Sequence, residues 1–199
     1  MHQGLNGEVF LRLPDGTYNA PPGNPARLIK NADGTFSYET LHKAKLNFNA
    51  AGRIASYAEP NGIQVNFTYT GSDLTQVQNS LGRTLTLTNS GGRVTQVADG
   101  TRTIKYAYDT NGNLVTFTDA AAKSTTFQYD LPGRLTKFYY PSNPSTAFVT
   151  NLYDSLGRVQ TQSDANGQVY RYYFVGSRSE EVGPLGRSLV SARTPGDTS

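Results

Sequence analysis

Apolar side chains recur at every second position in short runs that end in glycine-bearing turns. Val65, Phe67 and Tyr69 alternate with polar residues, as do Ile104, Tyr106 and Tyr108, and Thr125, Phe127 and Tyr129. A period of two places each set on one face of an extended strand. After each turn the pattern changes. Apolar residues now stand three apart: Ile54 and Tyr57, Leu74 and Val77, Val94 and Val97, Leu114 and Phe117, Leu135 and Phe138. In a regular strand such a pair would point to opposite faces, so the spacing predicts a bulge or twist in every outgoing strand that re-aims the second residue. Repeated at each turn, the bulge would wind the sheet into a spiral. The spacing also suits a helix, but Gly, Asn, Thr and Pro recur too often for one longer than a turn before Gly176.

The turns keep a period. Phe48 to Ile54, Tyr69 to Leu74, Thr88 to Val94, Tyr108 to Leu114, Tyr129 to Leu135 and Tyr153 to Val159 are six copies of one pattern. Their aligned positions 52, 72, 92, 112, 133 and 157 are separated by 20, 20, 20, 21 and 24 residues, the second copy being one residue short with its glycine at Gly71. A second set of turns falls midway, at Pro60-Asn61-Gly62, Ser80-Leu81-Gly82, Asp99-Gly100 and Ala165-Asn166-Gly167. Ala120 to Lys123 lacks the glycine, and Ser142 to Ser145 is an insertion. Each period thus holds two strands and two turns. The fold class is all-β: tandem antiparallel β-hairpins in repeats of about 20 residues, forming a twisted, spiralling sheet. In Tyr-Asp-x-x-Gly-Arg, the Asp or Asn bonds its own backbone and starts a type I turn. The glycine then takes the left-handed conformation and closes the loop with a G1 bulge.

The regular array occupies residues 46–182. Residues 1–45 form an irregular β lead-in, in which Leu13 to Tyr18 and Asn31 to Phe36 each set Asp-Gly between strand-like residues. Pro21, Pro22 and Pro25 make a stiff connector that cannot join a ladder. Residues 183–199 are expected to fray, as an end without a packing partner does.

Composition narrows the function classes. Hydrophobic residues are 36% and charged residues 17%, both low, while 13 Tyr, 9 Phe and many Thr favour a pleated, half-buried surface. The net charge of +3 is scattered, with no basic stripe for nucleic acid. Without cysteine there is no disulfide framework and no Cys-based metal site. Tyr172 to Val175, the most apolar stretch, is too short to span a bilayer. Met1-His2-Gln3 opens no charged-then-apolar signal segment.

The repeated Tyr-Asp-x-x-Gly-Arg-Leu/Val resembles the YD repeat of the rearrangement-hotspot (RHS) family, most closely at Tyr129 to Leu135 and Tyr153 to Val159. Leu13 to Tyr18 with Pro21-Pro22-Gly23 resembles the lead-in of such arrays, and Gly183 to Arg187 resembles their far end. The resemblance implies a stretch of β-shell wall. In similar proteins (bacterial secreted toxins, insecticidal toxin complex subunits, wall-associated proteins and teneurins) the shell encloses a C-terminal toxin or other cargo. It implies a non-enzymatic scaffold segment, secreted or at a bacterial cell surface. Its partners would be the remaining repeats and cargo of a larger parent, with edge-to-edge self-association possible. The Asp-Pro-x-Gly self-cleavage motif of family cores is missing, and Gly183 stands where its Asp is expected. The alternative is a free-standing adhesion or carbohydrate-binding module, with its groove near Tyr139 to Pro144.

Candidate chemistry is sparse. His2 and His42 are the only histidines, and His42 reads as a surface residue without a nucleophile elbow. Asp15, Asp33, Asp99, Asp109, Asp130, Asp154 and Asp164 read as turn caps, and adjacent Glu180 and Glu181 point to opposite strand faces. The tyrosines at 69, 106, 108, 129 and 153 could stack sugars or bases, but recurrence at one repeat position favours cross-strand packing. Arg53, Arg93, Arg134 and Arg158 recur likewise and are expected to bond neighbouring turns. No catalytic residue, cofactor or metal ligand is expected.

Overall fold

The structure, a computed structural model, describes residues 2–3 and 6–192, with side chains described from Glu8 to Ser191. Every element among the described residues is a β-strand. The chain divides into two compact units, Met1–Thr103 and Ile104–Ser199.

The first unit opens with two short antiparallel ladders, β1 (His2–Gln3) with β2 (Asn6–Gly7) and β3 (Leu11–Arg12) with β4 (Tyr18–Asn19). Eight strands follow: β5 (Arg27–Lys30), β6 (Phe36–Glu39), β7 (Lys45–Phe48), β8 (Ile54–Ala58), β9 (Gln64–Thr70), β10 (Asp73–Asn79), β11 (Thr84–Ser90) and β12 (Arg93–Ala98). Each pairs antiparallel with its sequence neighbour. The second unit continues the scheme from β13 (Thr103–Tyr108) through β14 (Leu114–Thr118), β15 (Ser124–Leu131), β16 (Arg134–Tyr139), β17 (Val149–Tyr153) and β18 (Val159–Asp164). It ends in β19 (Val169–Val175), β20 (Arg178–Val182) and β21 (Ser188–Ala192). The tail expected to fray from residue 183 holds a turn at Gly183–Arg187 and then the paired strand β21, and residues 193–199 lie outside the described residues. Gly176-Ser177 closes a seventh hairpin.

The bulges fall between the three-apart apolar pairs in the first five copies and between Val159 and Gln162 in the sixth, skipping Ala55, Thr75, Thr95, Val115, Thr136 and Gln160. The extra residue returns the three-apart partner to the first one's face. Leu114 then faces Tyr108 while Phe117 faces Tyr106, and Leu135 faces Tyr129 while Phe138 faces Phe127. Three bulge residues carry a hydroxyl that bonds across the disturbed ladder: Thr75 to Thr68 O (3.2 Å), Thr95 to Thr88 O (3.2 Å) and Thr136 to Gln128 O (3.1 Å). The seventh hairpin is unbulged, its register running evenly from Val175–Arg178 to Arg171–Val182.

The turns correct one expectation. Five-residue loops of the expected kind do occur, as at Asp109, whose amide donates to Asn113 O (3.0 Å) and whose carbonyl accepts from Gly112 N (3.0 Å). Copies two, three and five instead use two-residue loops at Gly71-Ser72, Gly91-Gly92 and Pro132-Gly133. The reason is local. Thr70 and Ser90 lack the carboxylate or amide that caps the longer loop. In the fifth copy Pro132 removes the amide two residues beyond Asp130 that such a cap must bond. Conversely, Lys43 (φ 67°) and Ala122 (φ 59°) take the left-handed position of five-residue loops that have no glycine there.

Apolar burial is shallow. Ala26 and Tyr38 are the buried apolar residues among those described, and no large side chain among them is fully enclosed. Most of the Tyr/Phe face is half-buried, as in a wall whose copies cover one another sideways.

Candidate functional site

Each bulge interrupts the ladder and disturbs main-chain acceptors that need a partner. In copies two, four and five the following repeat supplies it. Asn89 Nδ2 donates to Leu74 O (2.9 Å) and Tyr129 OH to Leu114 O (3.0 Å). Tyr153 OH and Asn151 Nδ2 (3.1 Å) both donate to Leu135 O. The acceptor is each time the first apolar residue after the turn, and the donor sits near the end of the next incoming strand. The signature tyrosine is therefore a hydrogen-bonding joint as well as a packed ring. Burial raises the pKa of the Tyr129 hydroxyl, with the Asp109 carboxylate adding to it.

The arginines make a second joint. Arg134 grips Asp130 through Nε (2.8 Å) and Nη2 (2.7 Å), and Arg158 bonds Asp154 through Nε (2.8 Å) and Nη2 (2.8 Å). Both aspartates belong to the arginine's own turn, not a neighbouring one. The neighbouring repeat contributes the ring: Arg53 lies 4.7 Å from the Tyr69 centroid, Arg134 5.0 Å from Tyr153 and Arg158 4.5 Å from Phe174. Hydrogen bonds hold these carboxyls below their usual range, from the Arg134 side chain at Asp130 and first from the Arg158 amide at Asp154. The Arg102 amide and guanidinium do the same to Asp99.

A third joint was not visible beforehand. Asn113, where four of the other five copies carry arginine, is 8% exposed. Its Nδ2 donates to Asp109 Oδ2 (2.9 Å), and its Oδ1 accepts from Gly133 N (2.7 Å) in the next copy's turn. In the sixth copy a polar pair replaces the apolar one: Gln162 Nε2 donates to Asn151 Oδ1 (2.9 Å).

The remaining candidates stand apart from this seam. His42 is exposed in the Thr40–Ala44 loop. Glu180 faces Tyr173 across the ladder and Glu181 faces Tyr172. At the insertion, Phe138, Tyr140 and Phe148 stack edge-on or tilted at 4.7–5.3 Å. None of the three pairs is parallel, and Tyr140 and Phe148 stay exposed. No cluster of three or more metal-ligating side chains forms among the described residues. No helix among them is long and apolar enough to cross a membrane.

Comparison with known proteins matches the same stretch. Among solved structures, the chain is similar to the Tc holotoxin pore of Photorhabdus luminescens carrying a TccC3 mutation, at 11% identity over 90% of this chain and 13% of that one, TM-score 0.43. It is also similar to a TcdB2–TccC3 crystal structure, at 12% identity over 88% and 14%, TM-score 0.45. A TcdB2–TccC3–TEV structure stands at 13% identity over 88% and 14%, TM-score 0.44. The chain thus spans only 13–14% of the length of those structures. No curated protein sequence matches it. The family model for the Teneurin YD-shell matches residues 26–180, a span that takes in every bulged hairpin and every joint between copies, so the chain belongs to the Teneurin YD-shell family.

Proposed function

We propose that the chain is a non-enzymatic length of shell wall in a larger secreted or cell-surface parent, of the bacterial polymorphic-toxin type. The shell would enclose or display a C-terminal cargo. The observation that carries this reading is the seam: Asn89, Asn113, Tyr129, Asn151 and Tyr153 each bond the backbone of a neighbouring copy, and Arg53, Arg134 and Arg158 stack on the next copy's ring. Residues with shifted pKa values are mainly turn aspartates bonded within their own turns, which is a structural use of charge. Nearest-neighbour joints also imply that stability grows with the number of copies.

Two measurements test it. Chains lengthened by their natural flanking repeats should unfold at higher denaturant concentration than the 199-residue chain; a midpoint independent of length counts against the wall. In the parent protein, the segment after the repeats should resist protease until the shell is breached. Equal cleavage in the intact and breached forms removes the enclosure.

A further inference from the structure

On one face of the first unit an unbroken row crosses five strands: Tyr38, Leu46, Tyr57, Val65 and Asn79, each opposite the next. At one end the chain covers the row with its own extended segment. The Phe10 ring meets Tyr38 edge-on at 5.9 Å, and Glu8 Oε2 accepts from Tyr38 OH at 2.8 Å. Tyr38 is left 5% exposed, and burial together with this carboxylate pushes its hydroxyl up to about 12. At the other end the row opens into a concavity of about 830 Å³. Val65, Val77 and Leu85 line it from the sheet, with Leu85 43% exposed, and Arg83, Asp99 and Arg102 line it from the turns. Asp99 engages Arg102 through Nε (2.9 Å) and Nη2. The Arg83 guanidinium has no partner among the described residues, the bonds of this residue being made by its backbone, whose amide donates to Asn79 Oδ1 and whose carbonyl accepts from Asn79 N.

We infer that this concavity is a docking site for an extended peptide that carries a carboxylate beside an apolar side chain. The molecule shows the mode on the same face, where Glu8 and Phe10 deliver a carboxylate and a ring two residues apart. At the open end, Val65, Val77 and Leu85 receive the apolar group and Arg83 receives the carboxylate as a charge-assisted pair. The volume lies within the usual range for ligand sites, roughly 300–1,000 Å³. The inference rests on the shell-wall reading for the source of the peptide, a segment of the parent held against the wall.

The test uses the whole chain and a fluorescent peptide copying residues 6–12, with a second peptide in which its glutamate is glutamine. The first should bind saturably. Arg83→Ala and the glutamine peptide should each weaken binding about tenfold, and together no more than either alone. Arg83→Lys should restore part of the loss, and Leu85→Asp should abolish binding. Arg83 is exposed, so unchanged thermal unfolding of Arg83→Ala separates lost binding from lost fold. Equal binding of both peptides, or dependence on Tyr38→Phe instead of Arg83→Ala, overturns the site. Protected cargo in the parent with no peptide binding sinks this inference alone. Bound peptide with unprotected cargo supports it and sinks the enclosure.

Discussion

The turns at Asn49–Arg53 and Asp154–Arg158 have the same backbone hydrogen bonds, and their capping side chains differ by a single atom. In each, the first residue's amide donates to the arginine carbonyl at 2.8 Å, and Oδ1 accepts from two amides of the loop. Both arginines stack on the next copy's ring, at 4.7 and 4.5 Å. In the later turn, however, Asp154 Oδ2 accepts from Arg158 Nε at 2.8 Å. In the earlier one that position is the Nδ2 of Asn49, a donor, and the buried Nε of Arg53 has no hydrogen-bond partner. The loop therefore needs one acceptor oxygen. The second oxygen serves the arginine, and so the joint to the next repeat.

The comparison can be attacked at four depths. If the two backbones are equivalent, Gly52→Val and Gly157→Val should each cost about 2 kcal/mol in denaturant unfolding, because both glycines sit in the left-handed region (φ 75° and 77°). A large inequality would show that the loops differ after all. Next, Tyr129→Phe should cost about 1 kcal/mol by leaving Leu114 O without its donor, whereas Tyr153→Phe should cost less because Asn151 still bonds Leu135 O. Amide exchange in β14 and β16 reads which joint loosens.

Third, Asn49→Asp should stabilise by about 0.5–1 kcal/mol by giving Arg53 Nε a charged acceptor, and Asp154→Asn should lower the unfolding midpoint. The pH dependence has a fixed sign. Hydrogen bonds depress the folded-state pKa of Asp154, so its contribution is complete above the unfolded value near 3.9 and is lost as pH falls through the lower folded one. Asp154→Asn should therefore differ from the parent at pH 6 and approach it in acid; a difference persisting unchanged at pH 2 would mean the carboxylate is not responsible. Smallest, Ala122→Gly should raise stability by about 0.5 kcal/mol, the relief of a left-handed alanine (φ 59°) offset by glycine's larger unfolded-state entropy.

Much of this was legible beforehand for a definite reason. Three-apart apolar pairs are incompatible with a flat strand, so the bulges at Ala55, Thr75, Thr95, Val115 and Thr136 follow from spacing alone, while the one at Gln160 follows only from the repeat. Turn aspartates cap loops within four residues, a distance at which sequence order and spatial order coincide. The Thr40–Ala44 turn escaped notice because Lys43 occupies the left-handed position without a glycine to signal it. The choice between two- and five-residue loops hung on Thr70, Ser90 and Pro132, residues whose effect is the absence of a hydrogen bond.

By itself the sequence determined what the backbone does within one period: strand, turn, bulge, strand. Those choices are made by side chains acting on their own or adjacent peptide groups. Tertiary structure alone decided which side chain meets which polar group fifteen to thirty residues away. Asn113 on Gly133, Tyr129 on Leu114 and Glu8 on Tyr38 are the instances. Those contacts depend on how far each bulge turns its strand, a geometric quantity with no signature in the order of residues.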